Sequence, residues 1–438
     1  MMNSLTKDSL AIILICSNIG LNMKDEEGLK PYTTSQWNKL AEKIMQSSLK
    51  RPEALFSTDE QVWSKELYLK ENEIIRLKKL LARAGQLGVE IEQLQSQGIN
   101  ITTRAERTYP KRLKDVLKKN SPPLLYYCGN LSLLDTKSVA VVGSRDIDEA
   151  GLNYTKKFAA RCAAEGLTIV SGGAKGVDTI AQDTALSAGG NVISVLSDSL
   201  SKKIKQKEVR EAITKGKLLL FSAVSPKAGF TVYSAMDRNK YIYGLSDFAV
   251  VISSDDNKGG TWSGATENLN NKWVSLFVRQ ENDIPKGNEK LLNMGAKPLS
   301  NEILDDKNIC LFNWLNDNKS IMQDKEEYTQ LGLLDINSDN YLIYNREGSE
   351  DKIGEYISES SLANQKLDLY EIVWPYLERA LHEPKSDTEL TELFNVKQNQ
   401  LIDWINRALN EKKIIKLSDS EKYTLANVQL GDWGLVHE

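Results

Sequence analysis

The chain has 438 residues, 41% hydrophobic and 26% charged, with a net charge of −4. That length accommodates about two to four domains of ordinary globular character. Its two histidines, His382 and His437, lie near the C-terminus, which excludes imidazole-based catalysis from the preceding segments, and its four cysteines (Cys16, Cys128, Cys162, Cys310) form no C-x-x-C pair, which argues against a zinc site or a disulfide framework.

Residues 1–105 read as a helical module. The run LAIILIC, Leu10–Cys16, is too short to span a bilayer and has neither a basic flank nor a cleavage pattern, so it is read as a core helix. With the dispersed cysteines this gives the expectation of a cytoplasmic protein without membrane contact. SQWNKLAEKIM and KENEIIRLKKLLARAGQLGVEIEQLQSQG show apolar residues at helical spacing. Within the latter, RAGQLGVEIEQLQSQGI is predicted as two short helices about a glycine turn, a SAM- or helix-hairpin-helix-like arrangement. Such hairpins hold DNA backbones, but the usual paired glycines are absent, which leaves plain packing as the alternative. TYPKRLKDVLKKNSPPLLYYCGN then gives a turn, a short helix and an extended strand ending at Gly129.

Residues 106–298 form the predicted central domain, and from 138 to 280 strand and helix alternate. SVAVVG, LTIVSG, NVISVL, KLLLFS, DFAVVIS and WVSLFVR are short apolar runs of the kind buried in parallel sheets. Helices are predicted near 150–165, 177–188, 205–214, 234–244 and 262–271. This is an α/β pattern: a Rossmann-like doubly wound parallel sheet with ligands at the C-terminal strand ends. Two glycine turns stand at such ends, SVAVVGSR (Ser138 to Arg145) and TIVSGGAKGVD (Thr168 to Asp178). Neither reads G-x-G-x-x-G, but each offers backbone N–H groups before a helix and carries a cation, Arg145 or Lys175. Two phosphate-type turns on one sheet edge suggest a polyanion. Charge agrees: residues 138–280 hold 18 basic and 14 acidic residues, whereas residues 281–365 hold 8 and 17.

Residues 299–365 are read as an acidic linker and residues 366–438 as a winged helix. In the latter, YEIVWPYLERALH, SDTELTELFNV and NQLIDWINRALNEKKIIKL precede a second short extended piece across an SDSE turn, with Ser386 and Glu389 as a capping box. Whether this module contacts DNA or protein stays open, since the expected recognition helix, NQLIDWINRALNEKK, mixes Asp403 and Glu411 with Arg407, Lys412 and Lys413.

In this order, TYPKRL with SPPLLYYCGN, VAVVGSR, IVSGGAKGVDTIAQDTAL and MDRNKYIYGLSDFAVVI resemble the DNA-processing protein A (DprA/Smf) family, over roughly residues 60–280. The resemblance implies a Rossmann-like domain that binds single-stranded DNA in a basic pocket without catalysing a reaction. It also implies dimerisation through that domain and a RecA-type recombinase as partner; no cofactor and no metal are expected. Carried over by motif, Gly143, Ser144 and Arg145 form the first turn, and Ser171, Gly172, Gly173, Lys175 and Gly176 form the second. Arg238, Asn239 and Lys240 supply a third wall. Phe230 and Tyr233, in a Gly/Pro-flanked loop, are candidates for base stacking, whereas Tyr241 and Tyr243 are read as packing a helix on the sheet. Asp178 is read as bracing the second turn.

The chain departs from the family where Ala181-Gln182 replaces Ala-His and where Lys240 replaces the second arginine of Arg-Asn-Arg, keeping the charge but losing the bidentate fork. KGGTWSGATENL, Lys258 to Leu269, resembles instead a turn of LOG-type nucleotide-processing Rossmann proteins. On that rival reading the chain is a nucleotide-binding or nucleotide-cleaving sensor, in defence against mobile elements, with Glu267 acting on ribose. Otherwise Thr261 or Ser263 caps a helix and Glu267 simply lies on it. A third reading is a scaffold whose linker and winged helix recruit a protein.

Overall fold

A computed structural model describes residues 5–21, 29–281, 283–319, 369–394, 396, 398–417 and 421–426, so the expected linker from 320 to 365 and most of the SDSE turn lie outside the described residues. The chain divides into two compact units. One takes the described parts of Met1–Thr33, Lys39–Gln93 and Ile336–Glu438; the other takes Thr34–Asn38 and Leu94–Asp335.

The N-terminal helices are α1 (Lys7–Cys16), α2 (Thr34–Gln46), α3 (Glu60–Glu66), α4 (Glu71–Leu81) and α5 (Ala84–Ser96). The apolar run of α1 is buried, as a core helix should be. It takes one charge with it: Asp8 is buried and accepts from Arg51 at 2.5 Å and from the Glu53 backbone at 2.9 Å. The hairpin expected within RAGQLGVEIEQLQSQGI is corrected, because α5 runs unbroken through Gly85 and Gly88. A glycine inside a helix costs about 1 kcal/mol against alanine, too little to break one whose leucines and isoleucine are buried. Among the described residues no helix is long and apolar enough to cross a membrane.

The second unit is built on one nine-stranded sheet: β1 (Asn100–Thr103), β2 (Leu124–Gly129), β3 (Ser138–Val142), β4 (Thr168–Ser171), β5 (Asn191–Leu196), β6 (Leu218–Ser222), β7 (Phe248–Val251), β8 (Ser275–Gln280) and β9 (Lys297–Ser300). Their order is β1-β2-β6-β5-β4-β3-β7-β8-β9. From β6 to β9 all neighbours are parallel, and β3 is the starting strand from which the chain winds outward both ways. Every residue of β3, β4, β6 and β7 is buried, which is why these strands read as continuous rather than alternating apolar runs. The strands of residues 138–280 are parallel, as expected, and the sheet is extended at one edge by two antiparallel strands from outside that range, β2 against β6 and β1 against β2. An apolar run reports burial, not direction.

The helices between these strands are α6 (Lys111–Leu117), α7 (Glu149–Ala164), α8 (Val177–Ser187), α9 (Leu200–Lys203), α10 (Lys207–Thr214), α11 (Val232–Gly244), α12 (Gly259–Asn271) and α13 (Lys286–Asn293). Asp148 caps α7 by accepting from Gly151 at 2.7 Å, and Thr231 and Ser234 form a capping box on α11. Tyr241 and Tyr243 are buried in the core with Val195 and Phe221. The start of the expected linker is corrected as well. Residues 301–317 fold as α14 (Asn301–Asp305) and α15 (Leu311–Asp317) and close the sheet domain. Phe312 meets the Phe248 ring at 5.4 Å, Trp314 meets Phe277 at 5.9 Å, and Leu311 and Leu315 are buried.

The C-terminal elements are α16 (Leu369–Ala380), β10 (Lys385–Ser386), α17 (Asp387–Phe394), α18 (Gln398–Asn410), β11 (Ile414–Lys416) and β12 (Lys422–Leu425). The three strands pair antiparallel in the order β10-β12-β11 over a core that includes Leu377, Leu390, Leu401, Trp404 and Ile405.

Candidate functional site

The two glycine turns are packed against each other at the C-terminal ends of β3 and β4. The Ser144 amide donates to the Ser253 carbonyl at 2.8 Å, and the Val177 amide donates to the Ser144 carbonyl at 3.3 Å. The first turn is thereby held between the end of β7 and the start of α8. A Cβ at Gly143 would stand 2.4 Å from Val177 Cγ2. Gly176, at φ +87°, would place one 2.4 Å from the Ser144 carbonyl oxygen. Gly143 thus makes room for the Val177 side chain, and Gly176 for the backbone of the first turn. The crevice that a doubly wound sheet usually opens at its switch point, here between β3 and β7, is bridged by the Ser144–Ser253 bond.

The open cleft lies one step along, over β4 and β5, with a volume of about 420 Å³. Its walls are the second turn (Gly172, Gly173, Ala174, Lys175), the segment after β5 (Leu196 to Ser199, then Lys202, Lys203 and Gln206), and Arg145, Phe230 and Arg238. Five of these side chains are basic and one, Asp198, is acidic. Among the described residues none of Arg145, Lys175, Lys202 and Lys203 takes part in an ion pair. Cations in excess of the carboxylates beside them repel one another, and an anion in the cleft relieves this repulsion.

Arg238 differs from the other four. It is 6% exposed and lies behind the second turn, where its Nη1 donates to the Val195 carbonyl at 3.2 Å and stands 3.8 Å from Asp178 Oδ2. Its Nε has no hydrogen-bond partner among the described residues. A Cβ on Gly172 would fall 1.1 Å from Nη1, so only glycine lets the guanidinium pass under the turn. Burial lowers the Arg238 pKa, and attraction to Asp178 opposes this. Burial likewise raises the Asp178 carboxyl, against the pull of Arg238. Asp178 also accepts from the Ala174 amide at 3.4 Å, the bracing role expected of it.

The sequence-predicted residues thus separate. Arg145, Gly172, Gly173, Lys175, Arg238 and Phe230 line the cleft. Gly143, Ser144 and Gly176 lie behind it in the packed turns, and the buried Ser171 hydroxyl donates to the Val141 carbonyl at 2.7 Å. Asn239 faces the other way, its amide on the Gly260 carbonyl at 2.9 Å, and Lys240 is paired with Asp237. Phe230 is 52% exposed, with the Arg145 guanidinium 5.6 Å from its ring centroid; Tyr233 is 80% exposed on the first turn of α11 and is not a lining residue. Glu267 is exposed on α12, outside the lining, with its carboxyl raised by partial desolvation and lowered in part by Lys240. Neither Thr261 nor Ser263 caps that helix, which starts at Gly259 with Lys258 as N-cap. Sequence reasoning missed Lys202, Lys203 and Gln206. The signal is the lysine-rich SKKIKQKEVR shortly after the end of β5, whose helical spacing does not show which lysines face the cleft.

The sheet and the cleft define a Rossmann-like domain with a mainly cationic cleft at its C-terminal strand ends. Residues 100–307, just under half of the chain, match the family described as DNA recombination-mediator protein A, and this segment is similar to proteins of the DprA/Smf family. It is 35% identical over 153 residues to the DNA processing protein DprA of Streptococcus pneumoniae, a match covering 34% of this chain and 53% of that one. It is 27% identical over 216 residues to the Smf protein of Borreliella burgdorferi, covering 48% and 67%. The matched segment thus spans between about half and two thirds of these relatives' length. Among solved structures, the chain is similar to DprA from Streptococcus pneumoniae, at 20% identity and a TM-score of 0.48, covering 73% of this chain and 100% of that one. It is also similar to DNA processing protein A from Helicobacter pylori, described for its single-stranded DNA binding mode, at 28% identity and a TM-score of 0.41, covering 51% and 97%.

Proposed function

We propose that the cleft binds the phosphate backbone of single-stranded DNA and that the chain serves DNA processing as a binding protein rather than an enzyme. The observation that carries this reading is the set of four cations, Arg145, Lys175, Lys202 and Lys203, that face one open cleft and, among the described residues, form no ion pair. The DNA-processing names of the curated relatives support nucleic acid over other polyanions. In this reading the Gly172–Lys175 turn offers backbone N–H groups to a phosphate, Arg145, Lys175 and Arg238 supply charge, and Phe230 and Tyr233 present exposed rings to bases. By family resemblance we further propose a homodimer through this domain and transfer of the strand to a RecA-type recombinase.

The C-terminal elements fit a winged helix, and we assign it to protein contact. On α18 and just beyond it, Arg407 and Lys413 both pair with Glu411, at 2.8 and 2.7 Å, and both lie over the Tyr370 ring. Cations so engaged are poorly placed for phosphates. The nucleotide-cleaving alternative loses support because Glu267 does not line the cleft.

The test is fluorescence anisotropy of labelled single-stranded and duplex oligonucleotides at two salt concentrations. Single strands are expected to bind more tightly, with affinity that grows with length and weakens with salt. Equal affinity for duplex, or displacement by a low concentration of free mononucleotide, would overturn the reading. Within the same assay, Phe230→Ala is expected to weaken binding by about fivefold to a hundredfold, the worth of one stacked base (about 1–3 kcal/mol), without changing the salt slope. An unchanged affinity would remove Phe230 from the site.

A further inference from the structure

We propose that the protein partner of the winged helix is the chain's own N-terminal module, and that the seat is the first turn of α5 at Gly85. This rests on the assignment of the winged helix to protein contact above and names its partner. The described parts of the two modules belong to one compact unit. Gly85 is buried, and what lies over it is the winged helix. A Cβ at Gly85 would stand 3.2 Å from Val396 Cγ1, 3.6 Å from Trp404 Cη2 and 3.9 Å from Trp404 Cζ3. A methyl group is already tight at the first of these distances, and a longer side chain has the valine and the ring in its way.

Both contacting groups are fixed within the winged helix. Val396 lies in the turn between α17 and α18, its amide donating to the Thr391 carbonyl at 3.3 Å. Trp404 stands on α18 between Leu401 and Ile405, which are buried in the winged helix's own core. The indole is 6% exposed, and the atoms it turns to Gly85 are the far edge of its six-membered ring. The ring therefore reaches from the core of one module to the backbone of the other. A large aromatic edge fitted against a residue without a side chain has the form of an interface anchor in its pocket. Its position matters, because the second helix of a helix-turn-helix pair is the one that a DNA reader lays in the major groove. Here the turn before that helix and one of its side chains are engaged by protein, beside cations already paired with Glu411.

The experiment places Gly85→Cys and Val396→Cys together in the full chain, with Cys310→Ser to remove an exposed native thiol. Val396 Cγ1 is one carbon–carbon bond from its Cβ, so the two β-carbons would be at most about 4.7 Å apart, near the span of a disulfide. With oxidised glutathione as oxidant, the pair is expected to form an intrachain disulfide, seen as a faster-running monomer on a non-reducing gel. It should form at least about tenfold faster than in Glu92→Cys/Val396→Cys, whose cysteine sits about 10 Å further along α5. Equal rates in the two pairs, or a disulfide that joins two chains, overturn α5 as the intrachain partner while leaving the protein-contact reading standing. Duplex DNA tests that reading separately. Gly85→Glu and, from the other side, Val396→Asp each unseat the module; circular dichroism and thermal melting check that they fold. Both are expected to bind a labelled duplex no more tightly than the unsubstituted chain. A gain of about tenfold or more would mean that α18 reads DNA once released. That outcome overturns the protein-contact reading, and α5 as the partner with it, even where the disulfide forms.

Discussion

The double variant Arg145→Ala/Lys175→Ala is expected to bind single-stranded oligonucleotides at least about a hundredfold more weakly than the wild type while melting at the same temperature. Both side chains are exposed, line the cleft and form no ion pair among the described residues, so their removal opens no cavity and strands no buried charge. Surface changes of that kind usually stay within about 0.5 kcal/mol of neutral. Their loss in binding is larger, because hydrogen bonds to charged groups contribute about 1.5–3 kcal/mol each. The salt slope should flatten by about 1.4, since two phosphate contacts are lost at about 0.7 apiece. Anisotropy over a salt series, beside a thermal melt, measures both quantities. A folded double variant with wild-type affinity would show that the polyanion does not use this cleft.

The strands of the central sheet were legible because their burial on both faces makes them unbroken apolar runs, as in SVAVV and FAVV. The two missed strands carry weaker signals: NITT is polar, and KPLS holds a proline, which an edge strand tolerates. The linker boundary was misplaced because the value of LFNWLND lies in rings that meet Phe248 and Phe277, and no local pattern records those partners. At the site, the glycines announced close approach but not what approaches. Gly172 makes room for an arginine 66 positions later, whereas Gly143 and Gly176 make room for each other's turns. The Arg-Asn-Lys segment shows the same limit. Successive helical residues point about 100° apart, so Arg238 reaches the cleft while Asn239 turns to α12 and Lys240 to Asp237. The lysines after β5 were visible as a basic run, but which of them face inward depends on the anchoring of Leu200 and Ser199, set by contacts with β6 and the loop after it.

Removing either member of the Asp178–Arg238 pair is expected to cost stability, and removing both is expected to restore most of it. The two groups are buried and 3.8 Å apart. In each, the loss of water is the largest influence on the pKa and the partner's charge opposes it, so the carboxyl is raised and the guanidinium lowered. A pair of that kind gives little net stability, yet stripping one partner leaves the other buried and uncompensated, at about 3–5 kcal/mol. Asp178→Ala should therefore lower the denaturation midpoint strongly, and Asp178→Ala/Arg238→Met should recover most of the loss. The pH dependence has a definite sign. A carboxyl whose folded pKa lies above its unfolded value binds its proton more tightly in the folded chain, so its contribution falls as pH rises between the two values. Relative to the double variant, the wild type should gain stability as pH drops through that window. The double variant should also bind single strands more weakly than the wild type at equal stability, because Arg238 faces the cleft as well as Asp178. Chemical denaturation of the four chains in a mutant cycle, at neutral and acid pH, decides the matter. Additive losses, with no coupling between the two positions, would mean that Arg238 is held by the turn and the Val195 carbonyl and not by its buried counter-ion.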